Sequence, residues 1–531
     1  MKIRTTFRLL IIFFLVLLSQ MSGLKAMGEE EPLPDLEIQQ KKLGNIFLKN
    51  ESSAFTVRTG GDKVTWTVVD FWGNNVASGT KEVKDGKAEL TLWLNKLGYF
   101  TLKLAATKNG ELLTQKETPF ARLTPFDVTA FSDSQFGMST HFSSTLRPAW
   151  NPVLMPLLQK AGAKNFRDEM YWDRVETQKG VYSFMDRYTN YMNEANAHQL
   201  NPLMIFSYTN PFYDNGYTPY TDEGRQGFAN YGRSILEQYG EQIKRVEVYN
   251  EFNNPAFGDI GSGPADSRAD YYFKLLKKTQ ETVKEIRPDV TVVGGASSAI
   301  HMGWLEDLFE VGGLDYMDVL SVHPYRLTQN PEGMSAELKA LNELVKRYNG
   351  GETKPIWITE MGYTTGGTKA VDEKTQAAYL VRMYVLSLAE GVEKIYWYDF
   401  MDDGLDKAKI EDNFGIIRHG DDALGAYTPK PAYVAYSAMT RQLTDAVFEK
   451  KEEIAAGVHS YKFKKGYSAV RALWSETPQD VTIRTDCSLT VTDIMGQSKT
   501  VYPKNGRVYL ALTGNAVYVK GNIYKIESGR R

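Results

Sequence analysis

Between residues 125 and 443, short apolar segments alternate eight times with helical ones, and few folds accept that alternation. The apolar segments fall at 136–142, 165–172, 202–208, 245–250, 291–296, 319–324, 355–359 and 394–400. They are rich in β-branched and aromatic residues and short enough to be strands. Helical patterns lie between them, as at 231–239, 269–286 and 375–389. The last pair shows the change of period most clearly. Residues 375–389 carry an almost continuous apolar helical face, Gly391 ends it, and Ile395-Tyr-Trp-Tyr-Asp-Phe reads as a strand. Eight such units over a stretch of this size predict a (β/α)8 barrel of the TIM type. A doubly wound sheet is the competing arrangement. No Gly-rich phosphate fingerprint follows any of the strands, which disfavours it.

The regions on either side are strand-like. From about residue 35 to 124, Val64-Thr-Trp-Thr-Val-Val and Ala88-Glu-Leu-Thr-Leu-Trp alternate, punctuated by Gly60-Gly61, Gly73-Asn74 and Asp85-Gly86. Short strands at that spacing predict a β-sandwich. From residue 444 to 531 the pattern returns, with turns at Asn505-Gly506 and Gly514-Asn515, and a second small sandwich is expected. The α/β barrel is thus read as residues 125–443, between an N-terminal and a C-terminal β-sandwich domain.

Residues 1–26 read differently. Lys2, Arg4 and Arg8 precede an apolar run from Leu9 to Leu18, followed by small and polar residues to Ala26. That is the layout of a secretory signal peptide, and the run is shorter than a membrane-spanning helix requires. Export to the periplasm or the medium is expected, with no stable membrane span after cleavage. The chain contains one cysteine, Cys487, so no intramolecular disulfide is available and the fold must rest on its core. This fits bacterial export better than eukaryotic secretion. The net charge of −3 on 531 residues argues against a nucleic-acid partner.

In a barrel of this type the active site lies at the C-terminal ends of the strands. Glu251 closes the fourth apolar segment and Glu360 the seventh, each after a β-branched and aromatic run. An isolated glutamate at a strand end most often makes a structural ion pair. Two at matched strand ends converge on one mouth, and two convergent carboxylates are what glycoside hydrolysis requires. Arg167 lies in the second segment, where the plain alternative is an ion pair with Asp168. His323 and Tyr325, in Val-His-Pro-Tyr, end the sixth, and Tyr325 is placed to donate to Glu360. Trp397 ends or nearly ends the eighth. His141, Trp172 and Tyr208 end the first, second and third.

These residues carry a family resemblance. Asn250-Glu251 and Thr359-Glu360 resemble the strand-four and strand-seven endings of clan A retaining glycoside hydrolases. The tract from Phe166-Arg167 through Trp172-Asp-Arg-Val-Glu176 to Gly180-Val-Tyr-Ser-Phe184 is similar to family 39 of that clan and its neighbours. One departure is Phe252, where many members have proline. The resemblance implies Glu251 as acid/base and Glu360 as nucleophile. It further implies an Asn250 contact to the sugar 2-hydroxyl, Arg167 beside the nucleophile, and Trp397 as a sugar platform.

Other chemistries are disfavoured. The six histidines are scattered, with no His-Glu-x-x-His helix and no cysteine cluster, so no metal site is expected. No Gly-x-Ser-x-Gly elbow is present. The carboxylate mechanism needs no cofactor. The expectation is a retaining glycosidase acting on an oligo- or polysaccharide. A transglycosidase on the same glutamates, and a catalytically inert glycan-binding protein on the barrel scaffold, remain open.

Overall fold

The structure, a computed structural model, describes residues 33–258 and 268–530. The apolar run expected to be a signal peptide lies outside the described residues. Eight parallel strands close into a barrel: Phe136–Ser139, Asn165–Tyr171, Asn201–Ser207, Arg245–Val248, Thr291–Ser298, Val319–His323, Ile356–Met361 and Lys394–Trp397. They pair in sequence order and the eighth closes on the first, Ile395 lying opposite Phe136. Helices Asp222–Tyr239, Ala269–Ile286 and Glu373–Ala389 are among those that follow the strands. Asp372 caps the last of them, accepting from the backbone N–H groups of Lys374 and Thr375.

Leu203, Val293, Val319, Trp357 and Tyr396 form a buried layer within the barrel. Each large side chain so buried contributes roughly 1.5–3 kcal/mol of transfer free energy. Tyr396 fits only because position 137 has no side chain: a Cβ on Gly137 would come within 2.5 Å of its ring. A far larger core fills the space between strands and helices.

The N-terminal unit pairs a three-stranded sheet with a five-stranded one, and Phe47, Phe55, Phe100 and Phe120 meet between them. The C-terminal unit pairs a six-stranded with a three-stranded sheet over a separate apolar core. Both units hold the barrel. Gln40 Nε2 and Thr118 Oγ1 donate to the carbonyls of Ala426 (2.8 Å) and Leu424 (2.6 Å), in the segment that follows the eighth strand. Trp474 Nε1 donates to Glu332 Oε1 at 3.0 Å from the other side.

Candidate active site

Three local devices aim side chains into the barrel mouth. Side chains on a strand alternate between faces. Along the second strand, Arg167, Glu169 and Tyr171 therefore share one face. Asp168 turns the other way and accepts from Thr140 Oγ1 (2.7 Å) and the Phe142 N–H (2.8 Å), fixing the loop after strand one. The seventh strand is bulged: its register with the eighth shifts between Ile358 and Met361. A bulge re-aims side chains that would otherwise alternate. Both Thr359 and Glu360 consequently reach groups at the mouth. Beyond the fourth strand the backbone turns left-handed at Tyr249 (φ 66°) and Glu251 (φ 47°), a conformation that costs a non-glycine residue on the order of 1 kcal/mol or more. The surroundings impose it. The Glu251 N–H is held by the Ala296 carbonyl at 2.8 Å. The Phe252 ring packs 5.1 Å from Tyr249 and 5.3 Å from Tyr272.

These devices assemble one hydrogen-bond network. Arg167, 3% exposed, uses all three guanidinium nitrogens. Its Nε donates to Glu247 Oε2 at 2.6 Å, its Nη2 to Asn250 Oδ1 at 2.8 Å, and its Nη1 pairs with Glu360 Oε1. The second oxygen of Glu360 accepts from Tyr325 Oη at 2.8 Å. Glu251 Oε1 lies 3.0 Å from His323 Nδ1, and its Oε2 accepts from Asn254 Nδ2 at 2.8 Å. His323 Nε2 is 2.9 Å from Thr359 Oγ1, and its Nδ1 is 3.7 Å from Glu360 Oε2. The imidazole thus stands between the two glutamates.

Burial pushes the Glu251 carboxyl up, but the hydrogen bond and charge of His323, with Asn254, more than offset it. The group is held below the ordinary glutamate value. Burial and the charge of Glu360 push the Tyr325 phenol well above its ordinary value, so it stays a hydrogen-bond donor.

Glu251, Glu360, Asn250, Arg167, His323 and Tyr325 meet in this network. Tyr208 lies beside it, half-buried, its ring stacked 5.7 Å from Phe257 and within electrostatic reach of Glu360 and Glu169. Two expected cleft residues lie elsewhere. Trp172 is fully buried: its ring stacks on Tyr213 at 5.0 Å and its Nε1 donates to Glu176 Oε2 at 2.6 Å. Trp397 is also fully buried, packed 6.4 Å from Tyr363 in the barrel–helix core, and presents no face to a ligand. The next residue, Tyr398, stands at the mouth instead, 6.1 Å from the Tyr325 ring and 5.2 Å from Phe414. Sequence reading missed Glu247, Asn254 and Thr359. A signal for Glu247 existed, because a carboxylate inside Arg-Val-Glu-Val must find a cation once the strand is buried.

The opposite wall, from strands one, two and eight, also carries acids. Burial pushes the Glu169 carboxyl up to about 7, against a hydrogen bond from Tyr171. Asp403 is pushed up to about 6 by burial, opposed by Arg147, whose Nη2 lies 3.1 Å from its Oδ2. Trp150 Nε1 donates to Asp403 Oδ1 at 2.7 Å. Asp399 is fully buried, and burial together with Asp403 and Asp402 drives its carboxyl well above the ordinary range. Among the described residues, neither of its oxygens has a hydrogen-bond partner. His141 faces both acids, 4.0 Å from Asp399 and 3.8 Å from Asp403. Burial and the charges of Arg147 and Arg167 hold its imidazole well below its ordinary value.

Among the described residues, two trios bring donor atoms within 4.8 Å of one another: Glu251, His323 and Glu360, and His141, Asp399 and Asp403. In the first trio the protein's own hydrogen bonds occupy every donor atom.

Residues 224–414 match the model of a glycosyl hydrolase catalytic core. No curated protein matches the chain. Among solved structures, the chain is similar to a family 39 glycoside hydrolase from Bacteroides cellulosilyticus, with a TM-score of 0.76, 23% identity, and coverage of 91% of this chain and 99% of that one. It is also similar to a monomeric β-xylosidase from Caulobacter crescentus (TM-score 0.52, 14% identity, 73% and 95% covered). The catalytic domain of a family 30 xylanase C from Talaromyces cellulolyticus is a third (TM-score 0.53, 14% identity, 74% and 97% covered). Residues 224–414 of this barrel thus match a glycosyl hydrolase catalytic core, and the fold is similar to that of family 39 and family 30 glycoside hydrolases.

Proposed function

We propose that the protein is an exported retaining glycoside hydrolase, with Glu360 as nucleophile and Glu251 as acid/base. The observation that carries this reading is the spacing of the pair: one carboxylate oxygen of each lies within 4.8 Å of the other. Retaining enzymes hold their two carboxyls about 5–5.5 Å apart, whereas inverting ones leave about 6.5–9.5 Å for a water. The division of roles follows from the partners. Arg167 and Tyr325 donate to both oxygens of Glu360 and fix its orientation for attack. Glu251 faces His323, a group that can give or take a proton.

In the first step a Glu360 oxygen attacks the anomeric carbon. The bond to the leaving oxygen breaks, and Glu251 supplies the proton that oxygen needs. In the second step Glu251 takes a proton from water, the water oxygen attacks the same carbon, and the Glu360 carboxylate departs. In the free protein Glu251 sits below the ordinary glutamate value, which suits the base of the second step. The acid of the first step gains its proton as a sugar displaces water from the mouth and deepens the burial. Asn250, whose Oδ1 accepts from Arg167, bonds the sugar 2-hydroxyl in this reading.

The substrate class is a glycan with an equatorial linkage of the β type or its α-L equivalent. The similar structures named a β-xylosidase and a xylanase put xylan-type substrates first in any screen. Export rests on the basic residues and apolar run of the first 18 positions. The decisive experiment uses Glu360→Gly on an active aryl glycoside. Azide should restore turnover and give a glycosyl azide of inverted configuration. Full turnover without azide would sink the assignment. Adding alcohol or sugar acceptors to the wild type then separates hydrolysis from transfer.

A further inference from the structure

The structure assigns a divalent-cation site to His141, Asp399 and Asp403, on the wall of the mouth opposite the catalytic pair. Its first ground is geometric. His141 Nε2 is 4.0 Å from Asp399 Oδ2 and 3.8 Å from Asp403 Oδ2, and the trio's donor atoms lie within 4.8 Å of one another. A point equidistant from the corners of such a triangle is about 2.1–2.5 Å from each, the range of metal–nitrogen and metal–oxygen bonds.

The second ground is polar satisfaction. Asp399 is fully buried, and among the described residues neither oxygen has a hydrogen-bond partner; both ring nitrogens of His141 are buried and unpartnered too. Buried polar groups in folded proteins are paired in the great majority of cases. A ligand of opposite charge meets that need for the carboxylates and the imidazole together. The third ground is the support around the trio. Trp150 Nε1 donates to Asp403 Oδ1 at 2.7 Å and orients that carboxylate, in the way residues behind metal ligands commonly do. Asp402 does not join the trio, because Lys430 Nζ holds it at 2.6 Å. Arg147 contacts Asp403 Oδ2 at 3.1 Å and offsets part of the negative charge.

One imidazole and two carboxylates select an ion that accepts mixed nitrogen and oxygen donors, Zn²⁺ or Mn²⁺, over Mg²⁺ and Ca²⁺, which prefer oxygen alone. Three protein ligands leave coordination positions for water or a substrate hydroxyl. The ion ties the ends of strands one and eight together beside Tyr398, whose ring lies 5.8 Å from His141.

The test is calorimetric. The full chain, stripped with a chelator and dialysed, is titrated with ZnCl2 and with MnCl2. One ion should bind per chain, and the thermal midpoint should rise with ion concentration. Asp399→Asn and, independently, His141→Gln should each weaken binding by about tenfold or more. Glu360→Gln, which removes a donor from the other trio, should leave the affinity unchanged. No saturable binding by either ion up to about 1 mM overturns the assignment. So does binding that survives both His141→Gln and Asp399→Asn, and so does binding lost in Glu360→Gln, which would place the ion at the catalytic pair.

Discussion

The two walls of the barrel mouth use the same residue types and reach opposite acid–base states. On the side built by strands four, six and seven, Glu247, Glu251 and Glu360 have hydrogen-bond partners on both oxygens. On the side built by strands one, two and eight, Asp399 has no such partner among the described residues, and Glu169 has the Tyr171 hydroxyl. Glu251 and Glu169 are each 7% exposed. Yet Glu251 lies below the ordinary value for its type and Glu169 is pushed up to about 7. Burial is therefore not what separates them. Donors and nearby cations decide which carboxylate carries charge and which carries a proton.

The largest expected effect comes from removing the proton carrier of the satisfied wall. Glu251→Gln should lower kcat/KM by about 10²–10⁴. The loss should be greatest for substrates with poor leaving groups, which depend most on the acid. In the wild type, kcat/KM should already be falling as pH rises through the ordinary carboxylate range, because free Glu251 is held below it and loses its proton early. The limb in kcat should lie at higher pH. Coincident limbs would mean that substrate binding does not raise the group.

Arg167→Met comes next. Two carboxylates share this guanidinium, and Glu247 is fully buried. Stranding a buried charge costs about 3–5 kcal/mol, so the denaturation midpoint should fall steeply. A loss below about 1 kcal/mol would show that Glu247 is satisfied without a cation, and the contrast between the walls would collapse.

How much of this was legible follows the physics of each signal. Hydrophobic periodicity is local, and it located all eight strands and the helix Ala269–Ile286. Strand ends were less readable. The first was expected to run to residue 142 but stops at Ser139, because Thr140 and the Phe142 N–H turn to Asp168. The network around Glu251 and Glu360 could be approached from sequence because both follow apolar strands. The bulge between Ile358 and Met361, which turns Thr359 inward with Glu360, left no local mark. Trp397 shows the hazard of period two. A shift of one residue moves a side chain to the other face, and the mouth receives Tyr398 instead. His141 and Asp399 each lie two residues beyond a barrel strand, the first and the last. Only closure of the barrel makes them neighbours, so no motif spacing could have paired them.

Glu169→Gln tests the unsatisfied wall. The Glu169 carboxyl goes from about 4.5 in the unfolded chain to about 7 in the folded one. Above pH 4.5 the unfolded chain gives up a proton that the folded protein keeps. Stability is therefore lost as pH rises from about 4.5 to about 7 and levels off beyond. Glutamine cannot ionise, so the variant should lack this loss, and the difference should approach on the order of 2–3 kcal/mol at neutral pH. The variant's midpoint should rise relative to the wild type between pH 4.5 and 7. Parallel curves would mean that Glu169 is ionised in the folded protein and that the walls do not differ.

The smallest effect is expected at Trp397, and it sharpens the line between mouth and core. Its indole nitrogen has no hydrogen-bond partner among the described residues, and its ring contacts Tyr363 within the core. Trp397→Phe therefore removes packing alone, for about 1 kcal/mol of stability. KM should stay within about twofold of wild type, since no face of the ring is open to a sugar. Tyr398 differs by one position and by face. Its hydroxyl donates to Glu411 at 3.2 Å, and its ring stands against both Tyr325 and His141. Tyr398→Ala should raise KM severalfold more than Trp397→Phe does. The reverse order would put Trp397 in the cleft and displace Tyr398 to the core, and would require the eighth strand to be shifted by one residue from the register in which Trp397 lies opposite Met138.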